Sequence, residues 1–168
     1  MNVRNAKPSD YKPIVSVVDE WWGGRQMAEK LPRLFLDHFQ DTSFVAEEDG
    51  KLVAFLVGFI SQSEPHQAYI HFAGVHPDYR RKGIARELYE RFYEVVQTRG
   101  CDRVRLITSP TNKASIAFHT AMGYKAEPGD GEVDGLPVVL DYDGHGSSRV
   151  CFVLGLTGRP RGRAKRRQ

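Results

Sequence analysis

Three consecutive cations, Arg80, Arg81 and Lys82, stand directly before Gly83 in the segment PDYRRKGIAREL, which continues as a helical pattern. Basic side chains at the start of a helix oppose the partial positive charge of its N-terminus, so the arrangement is locally unfavourable. A bound anion would reverse that effect, because the N–H groups of the first turn have no partner inside the helix. The spacing predicts a phosphate site, with a solvated basic turn as the alternative.

Several other kinds of site are disfavoured by missing motifs. Neither Gly-x-x-x-x-Gly-Lys-Ser/Thr nor Gly-x-Gly-x-x-Gly occurs in the sequence, which argues against ATP and dinucleotides. Cys101 and Cys151 form no Cys-x-x-Cys pair, and no histidine cluster has the spacing of metal ligands. We expect two free thiols and no metal.

The segment from Pro128 to Ser148 is long for a connection and carries no Lys or Arg. Its acidic residues are Asp130, Glu132, Asp134, Asp141 and Asp143. If the segment borders a binding cleft, Asp130, Glu132 and Asp134 would attract a cationic substrate, and an acidic surface loop is the alternative. Trp21 and Trp22 either wall the same cleft or pack in the core.

The elements that must position these residues alternate along the chain. A strand over Val3–Ala6 precedes a helix in YKPIVSVVDEWW and a helical stretch in MAEKLPRLFLDHF that Pro32 weakens. SFVAEE and LVAFLVGFIS then read as a hairpin with an Asp-Gly turn. The strand AYIHFAGV leads into the cationic loop.

The second half continues the alternation of helices and strands. The helix after Gly83 has one apolar face and ends at Gly100, and that face consists of Ile84, Leu88, Phe92, Val95 and Val96. Next come a strand, RVRLIT, and a helix, TNKASIAFHTAMG, which is capped by Thr111 or Asn112 and ends at Gly123. The last predicted elements are the strands YKAE and RVCFVLGL and a short strand at 138–140. We expect a mixed α/β sheet in one layer with helices on both faces.

Composition is that of one globular domain, since 40% of the 168 residues are apolar and 27% are charged. Six of the 24 Lys and Arg residues lie in the last ten positions, so the rest of the chain carries 18 cations against 21 anions. We therefore expect a mildly acidic domain over 1–156 and a basic, disordered tail over 157–168. The tail is either a solvated end or a contact for nucleic acid, ribosome or an acidic membrane surface.

No segment resembles a membrane span or a signal peptide, so we expect a cytoplasmic protein.

Two segments resemble the GNAT superfamily of N-acetyltransferases. Arg80 to Ala85, RRKGIA, is similar to the family's Gln/Arg-x-x-Gly-x-Gly/Ala pyrophosphate loop, and NKASIAFHTAMGY from Asn112 to Tyr124 is similar to its Asn-x-x-Ala/Ser segment. The resemblance implies a GNAT-like acyl-CoA N-acyltransferase fold: a central, mostly antiparallel sheet with a splayed strand pair and helices on both faces.

The resemblance also implies acetyl-CoA as the cofactor. Its pyrophosphate would lie on the backbone amides of residues 81–85, and its pantetheine arm would pair with the strand at 73–75. Gly74 in a strand pattern indicates a bulge or a close backbone approach, and the N–H near Ala73 would hold the thioester oxygen. The implied cofactor-binding residues are Ala73, Gly74, Val75, Arg80, Arg81, Lys82, Gly83, Ile84, Ala85, Asn112, Ser115 and Phe118.

The catalytic positions depart from the family pattern. Where many members carry a Tyr as general acid, this chain has His119, which we expect to protonate or stabilise the departing thiolate. Where several members carry a strand Glu as base, it has Tyr69. His71 lies on the same strand face as Tyr69 and would act through a water. For both histidines the alternative is a packing role.

The predicted activity is direct transfer of an acetyl group from acetyl-CoA to a primary amine, in a small molecule or a peptide, within a ternary complex. The acceptor is cationic if the acidic segment borders the cleft. The alternative is a catalytically silent acyl-CoA sensor or docking protein with the same fold. The sequence leaves the oligomeric state open, a homodimer included.

Overall fold

The computed structural model describes residues 1–158, which form nine β-strands and four α-helices joined by loops and 3₁₀ turns. The strands are β1 (Asn2–Asn5), β2 (Phe44–Glu48), β3 (Lys51–Ile60), β4 (Gln67–Val75), β5 (Arg103–Thr108), β6 (Lys125–Ala126), β7 (Gly131–Val133), β8 (Leu136–Val138) and β9 (Val150–Gly155). The helices are α1 (Tyr11–Trp21), α2 (Leu34–His38), α3 (Ile84–Thr98) and α4 (Lys113–Ala121). Most of the predicted tail, residues 159–168, lies outside the described part of the chain.

Seven strands form one sheet in the order β1-β2-β3-β4-β5-β9-β6, and β7 and β8 form a separate hairpin. Every neighbouring pair in the large sheet is antiparallel except β4 and β5, which are parallel. The expected mixed, mostly antiparallel sheet is confirmed.

The parallel pair at the centre of the sheet is joined over only three residues of each strand. Gln67, Ala68 and Tyr69 pair with Arg103, Val104 and Arg105, and the rest of β4 has no partner on β5. The strands therefore splay apart after Tyr69 and Arg105. We call the gap between residues 70–75 and 106–108 the seam; α3 and α4 both begin at its open end.

Helices cover both faces of the sheet, each over its own core. On one face α3 buries Ile84, Leu88, Phe92 and Val96 against the sheet, as its apolar stripe predicts, while Val95 is only partly buried. On the other face α1 and α2 bury a second cluster. The core of this second face contains Ile14, Val18, Trp21, Leu31, Leu36, Phe55 and Phe72.

A bulge in β4 changes which face its side chains meet. Val57 of β3 pairs with Phe72 and Gly58 pairs with Ile70, so His71 is the extra residue. Ile70 accordingly packs in the α3-side core, and Phe72 packs in the α1-side core. The bulge falls within the part of β4 that borders the seam.

Several sequence expectations differ in extent from the structure. The helical stretch predicted over MAEKLPRLFLDHF is split into a 3₁₀ turn at Ala28–Lys30 and the short helix α2, because Pro32 interrupts it. The long acidic segment folds into the β7–β8 hairpin, whose Asp134-Gly135 turn has positive φ at both residues. Of the strand predicted at 138–140, Val138 ends β8, Val139 forms a bridge with Arg149, and Leu140 lies in a turn.

Candidate active site

The loop before α3 exposes backbone N–H groups at the open end of the seam. Arg81 and Gly83 adopt the left-handed conformation, with φ of 63° and 82°. Within residues 1–158 nothing accepts a hydrogen bond from the N–H groups of Arg81, Lys82 or Gly83. Successive N–H groups of this kind form an anion-binding concavity. A Cβ on Gly83 would meet no protein atom within 4 Å, so its φ, and not crowding by the protein, is what calls for glycine.

The three cations of the loop have different surroundings. Arg80 donates to the Val75 carbonyl at 3.3 Å and to the Trp21 carbonyl, so it ties the end of β4 to the end of α1. Lys82 Nζ lies 4.6 Å from the centre of the Tyr79 ring. Arg81 is exposed and has no charged partner among the described residues. Arg81 and Lys82 therefore supply the positive charge at the surface of the loop.

The second family segment forms the start of α4. Asn112 caps the helix, because its Oδ1 accepts a hydrogen bond from the Ser115 N–H at 3.1 Å. Phe118 packs edge-on against Tyr89 of α3, with ring centres 5.3 Å apart. These predicted cofactor residues lie at the open end of the seam, on the side opposite the cationic loop.

His119 is buried between α3 and α4, with a relative exposure of 7%. Its Nδ1 lies 2.8 Å from the Ser115 carbonyl, and its Nε2 lies 2.9 Å from the Tyr89 hydroxyl. A carbonyl can only accept, so Nδ1 carries the proton and Nε2 accepts from Tyr89. Burial lowers the pKa of His119 to about 4, against the opposing effect of the bond to Ser115. The neutral ring thus has both nitrogens engaged.

A cavity of about 300 Å³ adjoins the closed end of the seam. We call it the Tyr69 cavity; its lining residues are Tyr69, Arg105, Leu106, Ile107, Glu127, Pro128, Val139, Tyr142, Cys151 and Phe152. Ala68 and Val104 belong to the α3-side core, so Tyr69 and Arg105, one residue further along, point to the opposite face. The stack of Tyr69 on Phe59, 5.4 Å between ring centres, places Tyr69 on the α2 side.

Two titratable groups in the cavity are held in their neutral forms. Burial raises the pKa of Tyr69, and the neighbouring Tyr142 hydroxyl raises it further. Burial also raises the pKa of the Cys151 thiol, with Glu127 adding to the effect. A phenol and a thiol that stay protonated offer hydrogen-bond donors to a ligand in this cavity.

His71 lies beside this region on the bulge of β4. Its Nε2 donates to the Lys30 carbonyl at 2.7 Å, and its ring stacks on Phe35 with centres 4.2 Å apart. The donor role of Nε2 leaves Nδ1 as the nitrogen with the lone pair. Burial lowers the pKa of His71, while Lys30 and the nearby Asp143 oppose that shift.

Gly74 and the two tryptophans meet in the α1-side core. A Cβ on Gly74 would lie 2.5 Å from the Trp22 ring and 2.8 Å from Phe55, so the predicted close approach at this glycine is made by a side chain of the protein. The bulge is at His71 instead. Trp21 is 4% exposed and packs on Phe55 and His76. Neither tryptophan lines the Tyr69 cavity.

The three carboxylates predicted to bind the acceptor lie in or beside the β7–β8 hairpin. Asp130 accepts from the Leu140 N–H at 2.8 Å, and Asp134 pairs with Lys113 at 3.1 Å. Glu132 lies exposed on β7. None of the three lines the Tyr69 cavity, whereas Glu127 does.

Sequence reasoning missed Arg105 and Glu127, which form an ion pair at 2.6 Å in the cavity. The signal for Arg105 was a charge in the middle of the strand RVRLIT, next to residues with apolar alternation. Nothing in the sequence indicates that Arg105 contacts Glu127. Glu127 lies six residues after the end of α4, and it comes close to β5 only because β6 pairs with β9, the neighbour of β5.

The open end of the seam fits coenzyme A. Residues 81–83 offer free N–H groups and positive charge to a pyrophosphate, and the edge of β4 that lacks a partner on β5 suits an extended arm. A splayed sheet with an anion-binding helix start at the opening is the architecture of acyl-CoA-dependent N-acyltransferases.

Among residues 1–158 no group of His, Cys, Asp and Glu has the arrangement of a metal site. No helix within this described part of the chain is long and apolar enough to cross a membrane.

Comparison with known proteins identifies the family. The model of the acetyltransferase (GNAT) family matches residues 11–124, and the chain belongs to that family. An acetyltransferase of Sodalis glossinidius is 33% identical over 132 residues, which cover 76% of this chain and 89% of that protein. A Pectobacterium atrosepticum acetyltransferase is 26% identical over 130 residues, covering 74% and 88%.

Solved structures share the fold. Ard1 of Thermoplasma volcanium superposes with a TM-score of 0.72 at 20% identity, covering 92% of this chain and 96% of that one. The yncA protein of Salmonella typhimurium, solved with its cofactor acetyl-CoA, gives 0.67 at 16% identity, covering 97% and 98%. The protein is therefore an acetyl-CoA-dependent N-acetyltransferase, and the alternative of a silent sensor is not favoured.

Proposed function

We propose that the acetyl group passes to a primary amine that enters through the Tyr69 cavity, by direct attack in a ternary complex. The observation that carries this proposal is the position of Tyr69 and Arg105, the last paired residues before the seam opens. The cavity therefore borders the closed end of the seam from the α2 face, while the anion-binding loop lies at the open end. Donor and acceptor have separate routes and can be bound together.

The residues around the seam have distinct roles in this proposal. Acetyl-CoA supplies the acetyl group as an activated thioester. The N–H of Ala73 on β4 holds the thioester oxygen as negative charge builds on it. Tyr69, whose phenol is protonated at neutral pH and whose pKa is raised further by burial, orients the acceptor by hydrogen bonding.

The acceptor amine must lose its proton before it attacks, because an alkylammonium has a pKa of about 10.4. We propose that His71 accepts this proton from the acceptor through one bridging water. Its Nε2–H bond to Lys30 fixes the tautomer that leaves Nδ1 basic, and its lowered pKa keeps the ring neutral at pH 7. Asp143 lies close enough to favour the imidazolium once it forms.

The acid role of His119 stays a prediction. With Nδ1 donating to Ser115 and Nε2 accepting from Tyr89, the contacts favour a residue that positions α4 against α3. A departing thiolate, with a pKa of about 8.5, needs little acid assistance near neutral pH.

Initial-rate kinetics test the proposal. Purified protein is given acetyl-CoA and a panel of primary amines, and CoA release and acetylated product are both measured. A ternary complex predicts intersecting double-reciprocal lines, and Tyr69→Phe should raise the KM of the acceptor with little effect on the KM of acetyl-CoA. Parallel lines would indicate an acetylated enzyme, and binding of acetyl-CoA without product for any amine would overturn the proposed function.

A further inference from the structure

The Nε of Arg105 is, within residues 1–158, the one buried side-chain nitrogen or oxygen with no hydrogen-bond partner. Its guanidinium binds Glu127 through Nη1 at 2.6 Å, and no described residue accepts from Nε or Nη2. A buried donor on a charged group is costly when it is left unpaired, so such groups in native proteins usually meet a ligand or a water. Arg105 lines the Tyr69 cavity and its side chain is 36% exposed, so a ligand there can reach the guanidinium, although Nε itself is covered.

A second arginine of the same chain, Arg4, shows which kind of group binds the edge formed by Nε and Nη2. Arg4 binds Asp10 through Nη1 and Nη2 at 2.8 Å each, and it binds Glu47 through Nη2 at 2.6 Å and Nε at 3.2 Å. Its side chain is 25% exposed, and that of Arg105 is 36% exposed. Arg105 has one carboxylate where Arg4 has two, and the vacant Nε–Nη2 edge is the one that Glu47 occupies on Arg4.

We propose that the acceptor carries a carboxylate, and that the Arg105 side chain turns its Nε–Nη2 edge toward the cavity to bind it. This inference rests on the proposed function, because it assigns the specificity of the same cavity. The planar edge of a guanidinium matches both oxygens of a carboxylate, and the adjacent Glu127 disfavours a more highly charged anion such as phosphate. A cavity of about 300 Å³ suits a small molecule.

The distance along β4 determines which amine reacts. Ala73, whose N–H we assign to the thioester oxygen, lies four residues beyond Tyr69, on the order of 10 Å along the strand. Arg105 is in register with Tyr69, so the carboxylate and the reacting amine are separated by several bonds. The substrate class is therefore an amino acid whose reacting amine lies several bonds from its carboxylate, as the distal amines of lysine and ornithine do.

Matched acceptor pairs test this inference. L-Lysine and cadaverine differ only in the carboxylate, as do L-ornithine and putrescine. In the wild-type protein we expect kcat/KM for the amino acid to exceed that for its decarboxylated partner by about 10- to 100-fold, the range of a charge-assisted hydrogen bond. Mass spectrometry and NMR should locate the acetyl group on the distal nitrogen.

Variants then assign the preference to Arg105. Arg105→Gln should bring the ratio within each pair to about one, and Arg105→Lys should keep only part of it, because lysine lacks the two-pronged edge. Arg103→Gln is the matched control, since Arg103 is an exposed residue of the same strand outside the cavity, and it should keep the ratio. Calorimetric affinity for CoA shows that each variant is folded.

The possible failures are distinguishable. Equal kcat/KM within both pairs, or a preference that survives Arg105→Gln, overturns the carboxylate assignment. Acetylation of other amines without any product from lysine or ornithine also overturns it and leaves the proposed function intact. Failure to acetylate any amine overturns the proposed function itself.

Discussion

The hydroxyl of Tyr89 on α3 lies 2.9 Å from Nε2 of His119 on α4, and both side chains are buried. The other ring nitrogen is bound to the Ser115 carbonyl at 2.8 Å. The imidazole therefore joins two helices that flank the open end of the seam. A group held in this way stabilises the fold independently of any part in acetyl transfer.

Replacing His119 with Phe leaves the Tyr89 hydroxyl without this partner in the core. We expect the free energy of unfolding to fall by about 1–3 kcal/mol, measured by urea denaturation. We expect kcat to fall far less than the roughly 10²-fold loss that follows removal of an acid catalyst. A variant of wild-type stability with kcat reduced by that factor would assign the acid role to His119.

The depressed pKa of His119 makes stability depend on pH. In the unfolded chain its pKa is 6.5 and in the folded protein it is about 4, so the unfolded state binds the extra proton between these values. The stabilising contribution is present above pH 6.5 and decreases as pH falls toward 4, by on the order of 3 kcal/mol. His119→Phe should flatten this part of a plot of unfolding free energy against pH, and an unchanged slope would contradict the assignment.

Gly74 is predicted to be intolerant of a single methyl group. Alanine there would place Cβ 2.5 Å from the Trp22 ring and 2.7 Å from a second atom of it, so Gly74→Ala should cost about 1–3 kcal/mol of stability. Gly155→Ala is the control, because Gly155 also lies in a strand and a Cβ there meets nothing within 4 Å. Equal melting temperatures for the two variants would show that the tryptophan moves aside freely.

The assignment of His71 as base predicts a pH profile. The ring must be neutral to accept a proton, and its pKa is lowered from 6.5, so kcat at saturating acceptor should decline only below pH 6.5. His71→Gln keeps a donor for the Lys30 carbonyl but cannot titrate. It should lose about 10²-fold in kcat together with this inflection. A Gln variant that retains the inflection would exclude His71 as its source.

The acidic residues of the hairpin allow a test of whether long-range charge attraction contributes to the binding of a cationic acceptor. Glu132 and Asp134 lie outside the lining of the Tyr69 cavity, so the double variant Glu132→Gln, Asp134→Asn should change the KM of a cationic amine by less than about twofold in moderate salt. Asp130 is left in place because it holds the Leu140 N–H. A tenfold rise in KM that disappears at high salt would restore the attraction that the sequence suggests.

Local patterns were enough to predict most elements of the fold. The Asp49-Gly50 turn has φ of 50° and 74°, which is the conformation that Asp-Gly favours in hairpins. The cap at Asn112 and the positive φ of Gly123 follow from residue type in the same way. These signals depend on neighbours in the chain, so they are visible without a structure.

The cavity and its charges could not be predicted, because they depend on contacts between distant segments. Arg105 and Glu127 are 22 residues apart, and Tyr89 and His119 are 30 apart. The bulge at His71 changes the face of the following residues of β4, which strict alternation does not foresee. The sequence pattern therefore indicates the carboxylates of the hairpin, whereas the carboxylate in the cavity is Glu127.

Gly83 offers the most direct test of the anion site at the start of α3. Its φ of 82° disfavours most side chains, but asparagine tolerates this conformation, so Gly83→Asn is the control for the backbone. Gly83→Glu adds a negative charge beside the free N–H groups of residues 81–83, and we expect its calorimetric affinity for CoA to fall by about 100-fold or more, since like charges at close range cost several kcal/mol. We expect the Glu variant to unfold at a slightly lower temperature than the Asn variant, because glutamate tolerates this φ less well, although neither added side chain meets a protein atom near Cβ. Equal CoA affinities for the Glu and Asn variants would show that the pyrophosphate binds elsewhere.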